Sequence, residues 1–341
     1  MAIDPNPVPP YPLHESVVDK LDPEYVAFYN EHIINQQQVH YQPVAASRTS
    51  GVLIPGAGEP SKVGAVKDFE IQRKYSQGPN VAVRTFTPDS PAPASGYPLL
   101  IWLHGGGWVL GNINTENVVC TRFCDSSKCV VVTVDYRLAP ENVWPAAVHD
   151  TWEALVWLKS EGAQLLKCDL SKVAIAGSSA GGNLAAIMTN KALESPELVP
   201  RFMFQLLVVP VTDNTADVSN NVSYKENENT AALPAVKMLW YRHHYLPNTS
   251  DWNNPEASPL YYPEANFSKL PPAYIAVAEL DVLRSEGEAY ADKLRNAGVP
   301  VQLKVYKGMP HPFLAMDGVL STGKKLIVDL TTALKNAFEQ S

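Results

Sequence analysis

KVAIAGSSAGGNLAAIMTNK, residues 172–191, is the stretch from which the fold can be read. Its opening run, KVAIA, is apolar on both faces, as a strand buried inside a parallel sheet must be. The residues after Gly181 suit a helix, and between the two lies Gly177-Ser178-Ser179-Ala180-Gly181, a G-x-S-x-G in a strand–turn–helix setting. Such a turn holds its central residue in a strained conformation, and the glycines on either side remove Cβ atoms that would collide with neighbouring backbone. Ser179 is that central residue, its hydroxyl exposed at a helix N-terminus whose dipole favours developing negative charge. Ser178 reads as a supporting neighbour. Because a glycine-rich βα turn can produce the same five residues, the rest of the chain has to decide.

Working outward, further continuous apolar runs read as buried strands: YPLLIWLH (97–104), CVVVTVDY (129–136), FQLLVVP (204–210), AYIAVAEL (273–280) and VQLKVY (301–306). Helical patterns lie between them, notably HDTWEALVWLKSEG (149–162) and SEGEAYADKLRNAGV (285–299). This alternation predicts an α/β fold with a mostly parallel central sheet and helices on both faces. Upstream, VKDFEIQRKY and VAVRTFTP flank the turn Gly78-Pro79-Asn80 and predict two antiparallel strands that open the sheet. Two segments do not fit a βα connection. Thr212 to Leu270 is rich in Asn, Pro and aromatics and far exceeds a normal loop. Before any strand, Asp22-Pro23-Glu24 places an N-cap and a first-turn proline ahead of the amphipathic YVAFYNEHII. The expected organisation is an N-terminal arm with cap helices (1–50), the first part of the core (51–211), a cap insert (212–270) and the second part of the core (271–341). The cap is expected over the carboxyl end of the sheet, where open α/β folds place their ligands.

Composition narrows the class. The 341 residues carry 27 Lys plus Arg against 35 Asp plus Glu, a net charge of −8 that supplies no field for nucleic acid. No run approaches the roughly 18 apolar residues of a membrane span, and MAIDPNPVPPYPLHE lacks the basic cluster and apolar run of a secretory signal, so a cytoplasmic location is expected. On that expectation the sequons at Asn221, Asn248 and Asn266 go unused. Cys120, Cys124, Cys129 and Cys168 show no C-x-x-C spacing; free, mostly buried thiols are expected, with no metal and no cofactor.

A second motif stands at the end of YPLLIWL: His104-Gly105-Gly106-Gly107-Trp108. Consecutive glycines at a strand end let backbone N–H groups point inward unobstructed, which is how an oxyanion hole is made. Gly105 and Gly106 are the expected donors, joined by Ala180 after the serine. A phosphate-binding reading is poor, since neither G-x-x-x-x-G-K-[ST] nor a G-x-G-x-x-G in context occurs. His104 itself reads as a structural anchor of the loop.

HGGGW, DYRLAPE (135–141), GSSAGGN (177–183), ELDVLRSEG (279–287) and GMPHPF (308–313), in that order, resemble the hormone-sensitive-lipase-like family of α/β-hydrolases, the carboxylesterases and lipases related to microbial brefeldin-type and plant carboxylesterases. The resemblance runs from about Val66 onward, with the N-terminal helices and the long insert similar to the family's cap. Two positions depart from it: Ser178 stands where the family usually has an acidic residue, and Val282 where it often has proline. The resemblance implies a Ser–acid–His order along the chain. His14, His32, His40, His104 and His149 precede Ser179, His243 and His244 fall in the insert, and His311 alone follows the last strand. Glu279 and Asp281 both stand where AYIAVAEL ends; Asp281 matches the family's position, and Glu279 is the alternative. In DYRLAPE, Arg137 and Glu141 are expected to tie their loop to neighbouring backbone, while Trp240, Tyr241, Tyr245, Trp252, Tyr261 and Tyr262 are candidates for the pocket wall.

The implied function is a serine carboxylesterase for small to medium, fairly apolar esters, acting through an acyl-enzyme on a small-molecule substrate. A lactonase, deacetylase or acyl-transferring enzyme would use the same chemistry. A non-catalytic ligand receptor of this fold, like the plant gibberellin receptors, would lack the histidine that stands here at His311. A homodimer is compatible with the sequence.

Overall fold

The apolar runs form the middle of one eight-stranded sheet. The computed structural model describes residues 7–49 and 55–340, so the first six residues and the expected boundary at residues 50 and 51 lie outside the described residues. The strands are β1 (Ala65–Ile71), β2 (Val81–Thr87), β3 (Tyr97–Leu103), β4 (Val130–Asp135), β5 (Cys168–Ser178), β6 (Phe204–Val208), β7 (Ala273–Leu280) and β8 (Val301–Pro310). Their spatial order is β1-β2-β4-β3-β5-β6-β7-β8. β1 and β2 pair antiparallel, as expected from the turn between them, and β2 is antiparallel to β4; every pairing from β4 to β8 is parallel.

Because successive side chains of a strand point to opposite faces, each central strand feeds two cores. Leu99, Ile101 and Leu103 of β3 belong to one core with Val148 and Leu155 of the helix Ala146–Trp157, Leu184 and Ile187 of the helix Ala180–Lys191, and Leu294 of the helix Arg284–Asn296. Leu100 and Trp102 of the same strand pack on the other face with Phe123 of the helix Asn117–Ser127 and with Leu326, Leu330 and Leu334 of the helix Ser321–Glu339. All five β3 side chains are fully buried, which is why the run had to be apolar without alternation. The helices Asn117–Ser127 and Ser321–Glu339 are additions to the elements expected from the sequence.

Asp22 caps the N-terminal helix Pro23–Phe28 by accepting the Glu24 N–H at 2.8 Å, with proline at the first helical position. The segment 212–270 contains the helices Val222–Glu226 and Ala235–Tyr245 and several single turns. It is pinned to the core at both ends of its path. Thr212 and Asp213 N–H groups donate to buried Glu286 Oε1, and Asn183 of the helix after the serine donates to the carbonyls of Val211 and Ala257.

DYRLAPE does tie elements together, but through side chains as well as backbone. Arg137 pairs with buried Asp150, which also holds Arg73, while Glu141 holds Arg48 of the arm. Arg48 in turn donates to the carbonyls of Val109 and Ala139. The four thiols are unpaired, three of them buried. Among the described residues no helix is long and apolar enough to cross a membrane.

Candidate active site

Parallel pairing of β3, β5, β7 and β8 brings their carboxyl ends to one edge of the sheet, and each end carries one component of the site. At the end of β5 the chain turns sharply into the helix Ala180–Lys191, with Ser179 at φ 56°, ψ −115°, a region that costs a side-chain-bearing residue energy. The glycines beside it are required by close approach. A Cβ on Gly181 would sit 1.9 Å from the Leu103 carbonyl oxygen, and one on Gly177 would sit 2.3 Å from the Gly181 backbone.

His311 follows β8 and Asp281 follows β7. His311 Nε2 lies 2.9 Å from Ser179 Oγ, and its Nδ1 lies 2.8 Å from Asp281 Oδ2. Asp281 is 1% exposed and His311 5%, so the pair is dry and its geometry is held by neighbours. Asp281 Oδ1 accepts the Leu283 N–H at 3.0 Å, and Asn227 and Thr230 of the insert donate to the carbonyls of Asp281 and Leu280. Glu279, the alternative acid, is directed elsewhere: it takes Lys307 Nζ at 2.7 Å and the Gly308 N–H at 2.9 Å. Ser179 is thus joined in one hydrogen-bonded chain to His311, 132 positions away, and through it to Asp281, while Glu279 is left outside.

The glycine loop after β3 is built tightly. Gly106 is at φ +118°, where a Cβ would lie 2.2 Å from the Leu110 carbonyl oxygen, and Gly107 at φ +61°, where a Cβ would lie 2.3 Å from the Tyr241 ring. Gly105 differs from the expectation that its N–H serves as an oxyanion donor: that N–H is directed at Glu116 Oε1, 3.4 Å away. Ala180 is the first residue of its helix, so its N–H has no partner within the helix. Among the described residues no acceptor takes the N–H of Gly106, Gly107 or Ala180. His104 anchors the loop as a structural residue. Its Nδ1–H donates to the Gly105 carbonyl at 2.7 Å, its ring stacks on Tyr136 at 4.2 Å, and burial pushes its pKa down to about 4.

Glu116 escaped the sequence reading, because nothing in GNINTEN distinguishes it from an exposed polar loop residue. Its carboxyl group is buried beneath the glycine loop, accepting Trp102 Nε1–H at 2.6 Å as well as the Gly105 N–H, and among the described residues no ion pair is formed with it. Burial pushes its pKa up to about 7, opposed by those two hydrogen bonds.

Ser179, His311 and the glycine loop open into a cavity of about 590 Å³, within the usual range of small-molecule sites. The arm contributes Tyr25, Tyr29, Ile33 and a run of glutamines; the insert contributes Leu233, Lys237, Met238 and Tyr241. Of the six candidate aromatics only Tyr241 lines it. Tyr245 stacks on Trp108 at 4.4 Å, Trp252 covers the Arg242 guanidinium, Trp240 packs edge-on to Tyr241, Tyr262 is in the core and Tyr261 is exposed. Among the described residues no group of three or more His, Cys, Asp or Glu is arranged to hold a metal ion.

Comparison with known proteins places this geometry in a family. A family model described as alpha/beta hydrolase fold matches residues 100–315. The AB hydrolase superfamily protein C1039.03 of Schizosaccharomyces pombe is 50% identical over 331 residues, 96% of this chain and 97% of that protein. The carboxylesterase NlhH of Mycobacterium tuberculosis is 36% identical over 269 residues, 76% of this chain and 79% of its own. Among solved structures, a thermostable esterase from Pseudomonas putida ECU1011 superposes with a TM-score of 0.84 at 30% identity, covering 94% of this chain and 98% of that one.

Proposed function

The chain belongs to the hormone-sensitive-lipase-like family of α/β-hydrolases and is a hydrolase of carboxylic ester bonds, and on that premise we propose that it works as a serine carboxylesterase through an acyl-enzyme on Ser179. The observation that carries this reading is the hydrogen-bonded chain from Asp281 through His311 to Ser179, at 2.8 and 2.9 Å, on the wall of a cavity.

In this mechanism His311 Nε2 accepts the Ser179 proton as Oγ attacks the ester carbonyl, while Asp281 fixes the imidazole tautomer and stabilises its charged form. The tetrahedral oxyanion is met by the N–H groups of Gly106, Gly107 and Ala180. Gly105, the donor expected from the sequence, serves instead to seat the loop on Glu116. His311 then returns the proton to the leaving alcohol, and a water activated by the same nitrogen releases the acid. A pre-formed hole of this kind is worth about 3–4 kcal/mol per donor in the transition state. The N-terminal arm and residues 212–270 act as one cap, since both line the cavity. Small to medium esters suit its volume, their apolar portions lying against Tyr25, Leu233 and Met238.

Labelling by a fluorophosphonate probe tests the assignment. Wild-type protein should be modified at Ser179, and Ser179→Ala should lose both labelling and ester hydrolysis while keeping its thermal transition. Substantial turnover by that variant would remove the serine mechanism.

A further inference from the structure

The cavity that holds Ser179 also holds a cation that, among the described residues, has no counter-ion. Lys237 lies on the helix Ala235–Tyr245, one turn before the Tyr241 ring that covers Gly107, and lines the same cavity. Its ammonium donates to the Ala232 carbonyl at 2.7 Å, and among the described residues no carboxylate pairs with it. Burial draws its pKa down to about 8. The ionisable groups around the cavity do not supply a partner. His40 of the arm is half-buried, both ring nitrogens being buried and, among the described residues, without a hydrogen-bond partner; burial together with the Lys237 charge keeps it neutral, with a pKa of about 4. Tyr25, Tyr29 and Tyr241 are phenols whose pKa values burial raises, Glu116 is spent on Trp102 and Gly105, and His311 on Asp281.

Lys237 is half-buried, and a charge partly withdrawn from water carries a cost unless something pairs with it. Anchoring the Ala232 carbonyl, in a turn where that residue has φ 64°, accounts for one ammonium hydrogen. A neutral amide would do as much, so the anchor does not account for the charge. Gln38 and Gln42 of the arm, which also line the cavity, add polar groups to a wall that an enzyme for purely aliphatic esters has no use for.

We propose that Lys237 determines specificity by pairing with a carboxylate on the substrate, so that the enzyme takes carboxylate-bearing esters, with the ester carbonyl at Ser179 and the carboxylate against the ammonium. The proposal rests on the esterase reading of this cavity and names the substrate class within it. The carboxylate belongs either to the acyl side, as in half-esters of dicarboxylic acids, or to the alcohol side, as in acyl esters of hydroxy acids.

The test measures kcat/KM in two series. One sets monoethyl esters of the dicarboxylic acids from glutaric to suberic against ethyl esters of monocarboxylic acids of equal length. The other sets acetyl esters of ω-hydroxy acids against acetyl esters of the matching alcohols. The wild type should favour the anionic member in at least one series, which also tells on which side the carboxylate lies. In Lys237→Gln the anionic-to-neutral ratio should fall on the order of tenfold, the scale of a hydrogen bond to a charged group, and Lys237→Arg should restore most of it. The ratio cancels any general loss of activity from a disturbed Ala232 turn. In the wild type it should also decline as pH rises through about 8, because the neutral amine no longer attracts the carboxylate; this readout needs no variant. Neutral esters hydrolysed in preference throughout, with a ratio indifferent to Lys237 and to pH, would overturn the proposal alone. Failure of the wild type to hydrolyse either kind of ester would overturn the esterase reading with it.

Discussion

Replacing Glu116 by glutamine should make the protein's stability less dependent on pH, by an amount that follows from its burial. The carboxyl's pKa moves from 4.5 to about 7 on folding, chiefly through desolvation. Its folded form therefore binds the proton more tightly than the unfolded chain does. The sign follows: stability is complete below the ordinary glutamate pKa, declines as the unfolded chain ionises, and has lost its full share once pH passes the folded value of about 7. A gap of about 2.5 units at 1.36 kcal/mol per unit amounts to about 3 kcal/mol. Glutamine removes that decline. It can still accept the Trp102 N–H but then turns its amide hydrogens toward the Gly105 N–H, leaving a buried donor unmet at about 1–3 kcal/mol at every pH. The variant should thus be the less stable protein at about pH 5 and regain about 2.5 kcal/mol relative to wild type by about pH 8. Urea unfolding of both proteins across that range measures the difference, in which buried Glu286, itself raised by desolvation, cancels. A difference that stays constant with pH would refute the reasoning.

Asp281→Asn should lower kcat by roughly 10⁴, whereas Glu279→Gln, at a carboxylate bound to Lys307 and the Gly308 N–H, should hydrolyse esters nearly as well as wild type; steady-state kinetics of the pair would show if the roles are reversed. Gly107→Ala should cost kcat more than KM, because the new Cβ would lie 2.3 Å from the Tyr241 ring and displace the glycine loop, and adding Tyr241→Ala should recover part of the loss; absence of recovery would dissociate the ring from the defect. Removal of residues 1–42 takes away Tyr25, Tyr29 and Ile33 from the cavity and bares apolar surface, so the truncated protein should aggregate or change its acyl-chain profile. An unchanged profile with unchanged stability would separate the arm from the cap.

The parts that local chemistry dictates were legible in the residues. KVAIA, YPLLIWL and CVVVTVDY had to be strands buried on both faces, since no amphipathic element tolerates such runs, and their two faces do feed separate cores. G-x-S-x-G announces its own turn, because only glycine fits where a Cβ would meet backbone at 1.9–2.3 Å. The order of motifs singled out Ser179 and His311 and left Asp281, favoured by the family resemblance, beside Glu279 as the acid; the side chains of Ser179, Asp281 and His311 fold into hydrogen-bonding distance. What lay beyond the sequence depends on three-dimensional neighbours. That Gly105 gives its N–H to Glu116 rather than to the cavity, that Tyr241 alone of six aromatics reaches the pocket, and that Glu141 holds Arg48 across 93 positions are results of packing between distant segments. The desolvation of Glu116 and of Lys237, which among the described residues has no counter-ion, belongs to the same kind. A residue type states which charges and hydrogen bonds it can offer; only the assembled fold settles which water is excluded and which partner is near, and those two quantities set the energetics of the site.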